Sequence, residues 1–142
     1  MKPTQNTTFS YTEMGRGHPV ELLACAIASQ EGFWVEDSIP QMRNNPGDLD
    51  YAGQIGARLP MPVGLPDPAI AVFASKALGV TALFRQIWLQ VAEGQTVRQI
   101  VAQWAPPNEN NTSAYLQDIL QWTGLPADTP VLELLPPLVR LN

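Results

Sequence analysis

Residues 24–49 read ACAIASQEGFWVEDSIPQMRNNPGDL. The stretch opens with an apolar run that stops at one carboxylate, Glu31, and Gly32 follows at once. Glycine enters the left-handed backbone region that commonly ends a helix, so Gly32 is expected just beyond a helix and Glu31 in its last turn. A glutamate in water ionises at about pH 4.3 and is a poor proton donor at neutrality. Apolar surroundings disfavour its charged form and raise the pKa toward about 6. Ala24, Ala26, Ile27 and Ala28 before Glu31, with Phe33 and Trp34 after it, are neighbours able to supply such surroundings. On this stretch alone the plain reading is a solvated glutamate at a helix end, because glutamate is mostly exposed.

Working outward, Pro19 suits the first position of a helix, and the apolar residues from Val20 to Ala28 nearly circle its axis, which predicts a core helix over 19–31. Cys25 within it reads as a small buried hydrophobe. His18 is the only histidine. Seven residues of helix put it about 10 Å from Cys25, too far for a catalytic dyad. With one histidine and one cysteine no zinc site is expected, and no cofactor. Residues 33–40 read as a loop. The pairs Asn45-Pro46 and Pro46-Gly47 are strong turn signals, followed by a weak strand near 49–51. Residues 53–68 hold four prolines and three glycines and read as a surface loop.

A second short strand is expected at 70–73, then a helix over 75–93. Gly79 interrupts that helix for close packing, and Leu78, Ala82, Phe84, Ile87, Trp88 and Val91 form its core stripe. Thr96 caps a helix over 97–104. The loop 105–111 crowds Asn108, Glu109, Asn110 and Asn111 behind two prolines. Asn111 or Thr112 caps a last long helix over 113–122, closed by Gly124. A proline-rich strap with a short helix near 130–135 completes the chain.

Three motifs stand in order: Gln30-Glu31-Gly32; Arg43-Asn44-Asn45-Pro46-Gly47-Asp48-Leu49; and Trp104-Ala105-Pro106-Pro107-Asn108-Glu109-Asn110-Asn111-Thr112 with Tyr115. Over residues 20–124 this set resembles the lysozyme-like superfamily, on the side of soluble lytic transglycosylases and phage wall-degrading or virion-associated proteins. The resemblance implies an α+β, mostly helical fold with a two- or three-stranded sheet beside a cleft. Residues 18–142 would form the single domain and 1–17 a polar arm. It also implies that Glu31 is the catalytic acid and that Tyr115 lines the cleft. The chain departs from the transglycosylase pattern at Gly32, where that family usually has serine, and lacks a Gly-x-Met-Gln stretch.

Asparagine amides donate and accept together, as a sugar site requires, so Asn44, Asn45 and Asn110 are candidate substrate contacts; the plain alternative is that they only make turns and caps. Trp104 can stack on a sugar ring, or belong to the core stripe of its helix. Most glycosidases use two carboxylates, and Asp48 and Glu109 are the candidates for the second. With Glu31 alone, the resemblance implies cleavage between N-acetylmuramic acid and N-acetylglucosamine with a 1,6-anhydro product. A water held by Asp48 or Glu109 would instead give muramidase hydrolysis.

The 142 residues carry a net charge of -5, with 45% hydrophobic and 15% charged residues. That balance excludes a disordered polyelectrolyte and lacks the basic face of a nucleic-acid binder. A lone cysteine leaves no internal disulfide. No apolar run reaches the roughly 18 residues needed to span a bilayer, and residues 1–6 lack the apolar core of a signal peptide. The expectation is a monomer made in the cytoplasm that acts on peptidoglycan strands in the periplasm or wall after release or virion delivery, with virion proteins as further partners. The acidic charge and missing export signal also fit an inactive virion structural protein or a glycan-binding module of the same fold.

Overall fold

The computed structural model describes residues 17–60, 66–108 and 111–136. Within them the chain runs α1 (Pro19–Gln30), α2 (Ile39–Met42), β1 (Ala57–Arg58), β2 (Val72–Phe73), α3 (Lys76–Ala92), α4 (Val97–Trp104), α5 (Thr112–Thr123) and α6 (Val131–Leu134). The architecture is mostly helical, with one two-stranded antiparallel sheet pairing Ala57 with Phe73 and Arg58 with Val72. Most of the expected arm over 1–17 lies outside the described residues.

The centre is α1. Val20, Leu23, Ala24, Ala26, Ile27 and Ala28 are all buried on it, and α5 and α3 pack against it. Only Glu21 and Cys25 of this helix are exposed. They stand four residues apart, on a stripe that no other described element covers. The expectation of a buried Cys25 is therefore corrected. His18 is spent on the helix start, its Nδ1 accepting from the Val20 amide at 3.2 Å.

The end of α1 follows from glycine. Gly32 has φ of +83°. Its amide donates to Ser29 O at 3.1 Å, and the Phe33 amide reaches back to Ala28 O at 3.0 Å. This paired closure stops the helix at Glu31 and turns the Phe33 ring into the core. Trp34 stays 43% exposed, edge-on to Phe33 at 5.0 Å. Residues 33–40 are not wholly loop: Ser38 caps the short α2, its side chain accepting from the Gln41 amide.

The later caps follow the sequence closely. Thr96 and Gln99 form a reciprocal capping box on α4. Asn111 Oδ1 caps α5 through the Ala114 amide at 3.1 Å, and Gly124 closes it at φ of +70°. Trp88 departs from expectation. It is 42% exposed and leans on the His18 ring at 5.4 Å, because the core beneath α3 is already filled by Leu83, Ile87 and Val91. The loop expected over 53–68 contains β1. Near 49–51 there is a single bridge, Asp50 to Ile70, flanked by Tyr51 N to Ala69 O at 2.8 Å and Ala71 N to Leu49 O at 2.9 Å.

The turn 44–48 is locked onto α3 through Gly79. A Cβ at Gly79 would lie 1.7 Å from the Asn44 carbonyl oxygen. A Cβ at Gly47 would meet Leu83 Cδ1 at 2.9 Å. At Gly79 the backbone of the turn thus lies directly on the helix, and only glycine there leaves room for it. Gly79→Ala is expected to lower stability by about 3 kcal/mol, the upper end of ordinary overpacking. Urea denaturation of the two proteins measures it.

Candidate active site

Glu31 sits at the mouth of α1 in a cleft of about 490 Å³, within the size range of small-molecule sites. Tyr115, Trp104, Asp48, Leu49 and Ile70 share its lining. Tyr115 stands in the first turn of α5, its amide bonded to Asn111 O at 3.1 Å. Its hydroxyl donates to Glu31 Oε2 at 2.7 Å across 84 residues of chain. Thr112 Oγ1 bonds Ala105 O, tying the start of α5 to the end of α4. The tyrosine is thereby held over the carboxyl.

The electrostatics follow from that placement. Burial pushes the Glu31 carboxyl up from an ordinary 4.5 to about 7; the Tyr115 hydroxyl pulls the other way, and the nearby Asp48 charge adds to the rise. Burial and the facing Glu31 charge also raise the Tyr115 phenol, so it stays a proton donor in the hydrogen bond. Asp48 is raised too, first by burial and then by Asp67, with Arg43 opposing and Asp50 adding. The sequence neighbours expected to dry Glu31 do not line the cleft: Phe33 points into the core and Trp34 into solvent. The walls come from Leu49, Ile70, Trp104 and Tyr115, all distant in sequence.

The Arg43–Leu49 motif divides into scaffold and site. Asn45 is fully buried. Its amide nitrogen donates to Leu49 O at 3.0 Å and Ala71 O at 2.9 Å, and its oxygen accepts from the Leu49 amide at 2.9 Å. It therefore has no reach to a substrate and acts as the clasp of the turn. Asn44, at φ of +52°, donates to Phe73 O at 3.2 Å and also stands outside the cleft lining. Arg43 is 7% exposed and gives its guanidinium to the carbonyls of Pro66, Asp67 and Ile70. Asp48, at φ of +50°, is the member of the motif that faces the cleft along with Leu49.

Trp104 lines the cleft with its ring partly packed on the core, and its indole N–H is spent on Gly47 O at 2.8 Å. A ligand can meet its face but not its donor. Glu109 and Asn110 lie outside the described residues. Sequence reasoning missed a polar wall made by Gln86 and Gln90 on α3 and Gln103 on α4. Gln90 is 2% exposed and donates to Gln103 Oε1; its own Oε1 is buried without a partner among the described residues. Two glutamines four apart beside an apolar helix stripe were the available signal.

Among the described residues no group of three or more His, Cys, Asp or Glu side chains is arranged to hold a metal ion, and no helix is long and apolar enough to cross a membrane. No known protein family, curated protein or solved structure matches the chain. The site is thus read from its own geometry: a mostly covered carboxyl that keeps its proton near neutrality, oriented by a phenol, with a second carboxylate in the same cleft.

The raised pKa has a thermodynamic consequence. Between pH 4.5 and about 7 the folded chain holds a proton on Glu31 that the unfolded chain has released. Stability contributed by this group is therefore complete at low pH and falls as pH rises through that window. Glu31→Gln is expected to be nearly neutral at pH 4 and stabilising at pH 8 by on the order of 2 kcal/mol. Thermal unfolding at the two pH values checks it.

Proposed function

We propose that the chain is a peptidoglycan-cleaving glycosidase of lysozyme-like architecture, acting between N-acetylmuramic acid and N-acetylglucosamine with Glu31 as acid and then base. The observation that carries the reading is the Tyr115–Glu31 hydrogen bond inside a cleft, at a carboxyl raised to about 7. A general acid works best when its pKa lies near the operating pH. Glu31 gives its proton to the glycosidic oxygen as the bond from that oxygen to C1 breaks, and the leaving sugar departs as an alcohol. The carboxylate then takes a proton from the incoming hydroxyl, whose oxygen forms the new bond to C1. If that hydroxyl is the substrate's own C6 group, the product is a 1,6-anhydro sugar; if it is water, the product is a reducing sugar.

Tyr115 fixes which carboxyl oxygen is engaged and leaves Oε1 of Glu31 free of its hydroxyl. Trp104 presents a ring face to a sugar. Asp48, in the same cleft, favours the muramidase branch as the second reading, because a second carboxylate can hold the attacking water.

Glu31→Gln is expected to abolish clearing of purified sacculi with the fold intact by circular dichroism. Parent-rate clearing by this variant would overturn the assignment, and binding without clearing by the parent protein would favour a glycan-binding module. Mass analysis of released muropeptides separates the two branches, since the anhydro product is lighter by one water.

The acid must be protonated to act, so kcat/KM is expected to fall as pH rises through about 7. The Tyr115 hydrogen bond favours the charged form. Tyr115→Phe is therefore expected to move this alkaline limb to higher pH while slowing the reaction. A limb that stays in place, or moves down, would contradict the assigned role of the phenol.

A further inference from the structure

A second cavity of about 450 Å³ adjoins the cleft at Leu49 and Gln86, which line both. One wall is the face of α3 that carries Leu78, Thr81, Ala82 and Arg85, spaced as neighbours on a helix surface. The other is the loop bearing Gln54 and Ile55. The loop is set tightly against the helix: Gly56 has φ of +79°, and a Cβ there would lie 2.4 Å from Leu78 Cδ1. Ile55 is 85% exposed, an apolar side chain at the rim of a mostly apolar hollow.

The two adjoining cavities differ in charge. Glu31, Asp48 and Asp50 line the first. The second has Arg85 and, among the described residues, no acidic side chain. A matching ligand is a neutral sugar with an acidic, partly apolar substituent one cavity away. Peptidoglycan has this form: the lactyl ether of its muramic acid carries a short peptide that begins with alanine and continues with a residue bearing a free carboxylate.

We propose that the cavity between α3 and the Gln54–Ile55 loop holds this acidic peptide, with its carboxylate against Arg85, so that the site selects peptide-bearing strands over bare glycan. The inference rests on the saccharide reading of the Glu31 cleft and names the substituent that reading leaves open. The alanine methyl lies over Leu78 and Ala82, and the lactyl linkage passes Leu49 and Gln86. Arg85 acts in recognition and has no part in proton transfer.

The test is an NMR titration of the full chain with two soluble probes: the N-acetylglucosaminyl-N-acetylmuramic acid disaccharide bearing an alanyl-glutamate peptide, and the same disaccharide with the lactyl carboxyl capped as a simple amide. The parent protein is expected to bind the peptide form about fivefold more tightly, the scale of one partly exposed ion pair. Arg85→Gln is expected to bring the two affinities together while leaving the capped disaccharide unchanged. Ile55→Asp, which sets a like charge at the rim, is expected to do the same. Equal affinities in the parent protein, or a preference that survives both substitutions, would overturn the inference and leave the saccharide reading standing. If neither probe binds the parent protein, the saccharide reading falls and the inference with it.

Discussion

One hydrogen bond joins the C-terminal end of α1 to the first turn of α5: the Tyr115 hydroxyl to Glu31 Oε2, 2.7 Å long. It requires α1 and α5 to be packed in one register, since neither partner is free to search. Glu31 is fixed by the glycine closure of α1, and Tyr115 by the Asn111 cap. A carboxyl taken from water without partners would be costly. Here the phenol satisfies one oxygen, while the surrounding walls keep the proton on the group near neutrality. The same low-dielectric setting that raises its pKa also strengthens the hydrogen bond that orients it.

The remaining wall depends on backbone contact more than on side chains. The turn after Arg43 lies on Gly79, its glycine carbonyl accepts the Trp104 indole N–H, and Asn45 laces it to the strand-like segment near Ala71. Three separate elements thus converge on five residues, and Asp48 is the side chain this construction delivers to the cleft. Its left-handed backbone is one that aspartate tolerates better than most residues. The residues of the motif that look most like ligand contacts are the ones used up in holding it.

Much of the helical framework was legible because it rests on local chemistry. Pro19, Gly32, Thr96, Asn111 and Gly124 start or stop helices by effects that act within a few residues, and each does so here. The position of Glu31 at a helix end was also readable. Burial was less legible. Cys25 and Trp88 lie in apolar runs, yet both face solvent, because a run records hydrophobicity and not which side is covered. Asn45 had two readings, a substrate contact or a residue that only makes the turn, and the second holds: its three hydrogen bonds are to backbone brought from 26 residues away as well as from nearby. The strand Ala57–Arg58 and the meeting of Gln103 with Gln90 depend on pairings between distant segments that no local pattern encodes.

The direct measurement is the titration of the Glu31 side-chain carboxyl by carbon-13 NMR in the intact chain. A midpoint near 7 that rises further in the Tyr115→Phe protein is the expected result. A midpoint near the ordinary 4.5, unmoved by that substitution, would mean the carboxyl is solvated and without its phenol partner, and the cleft would have no acid.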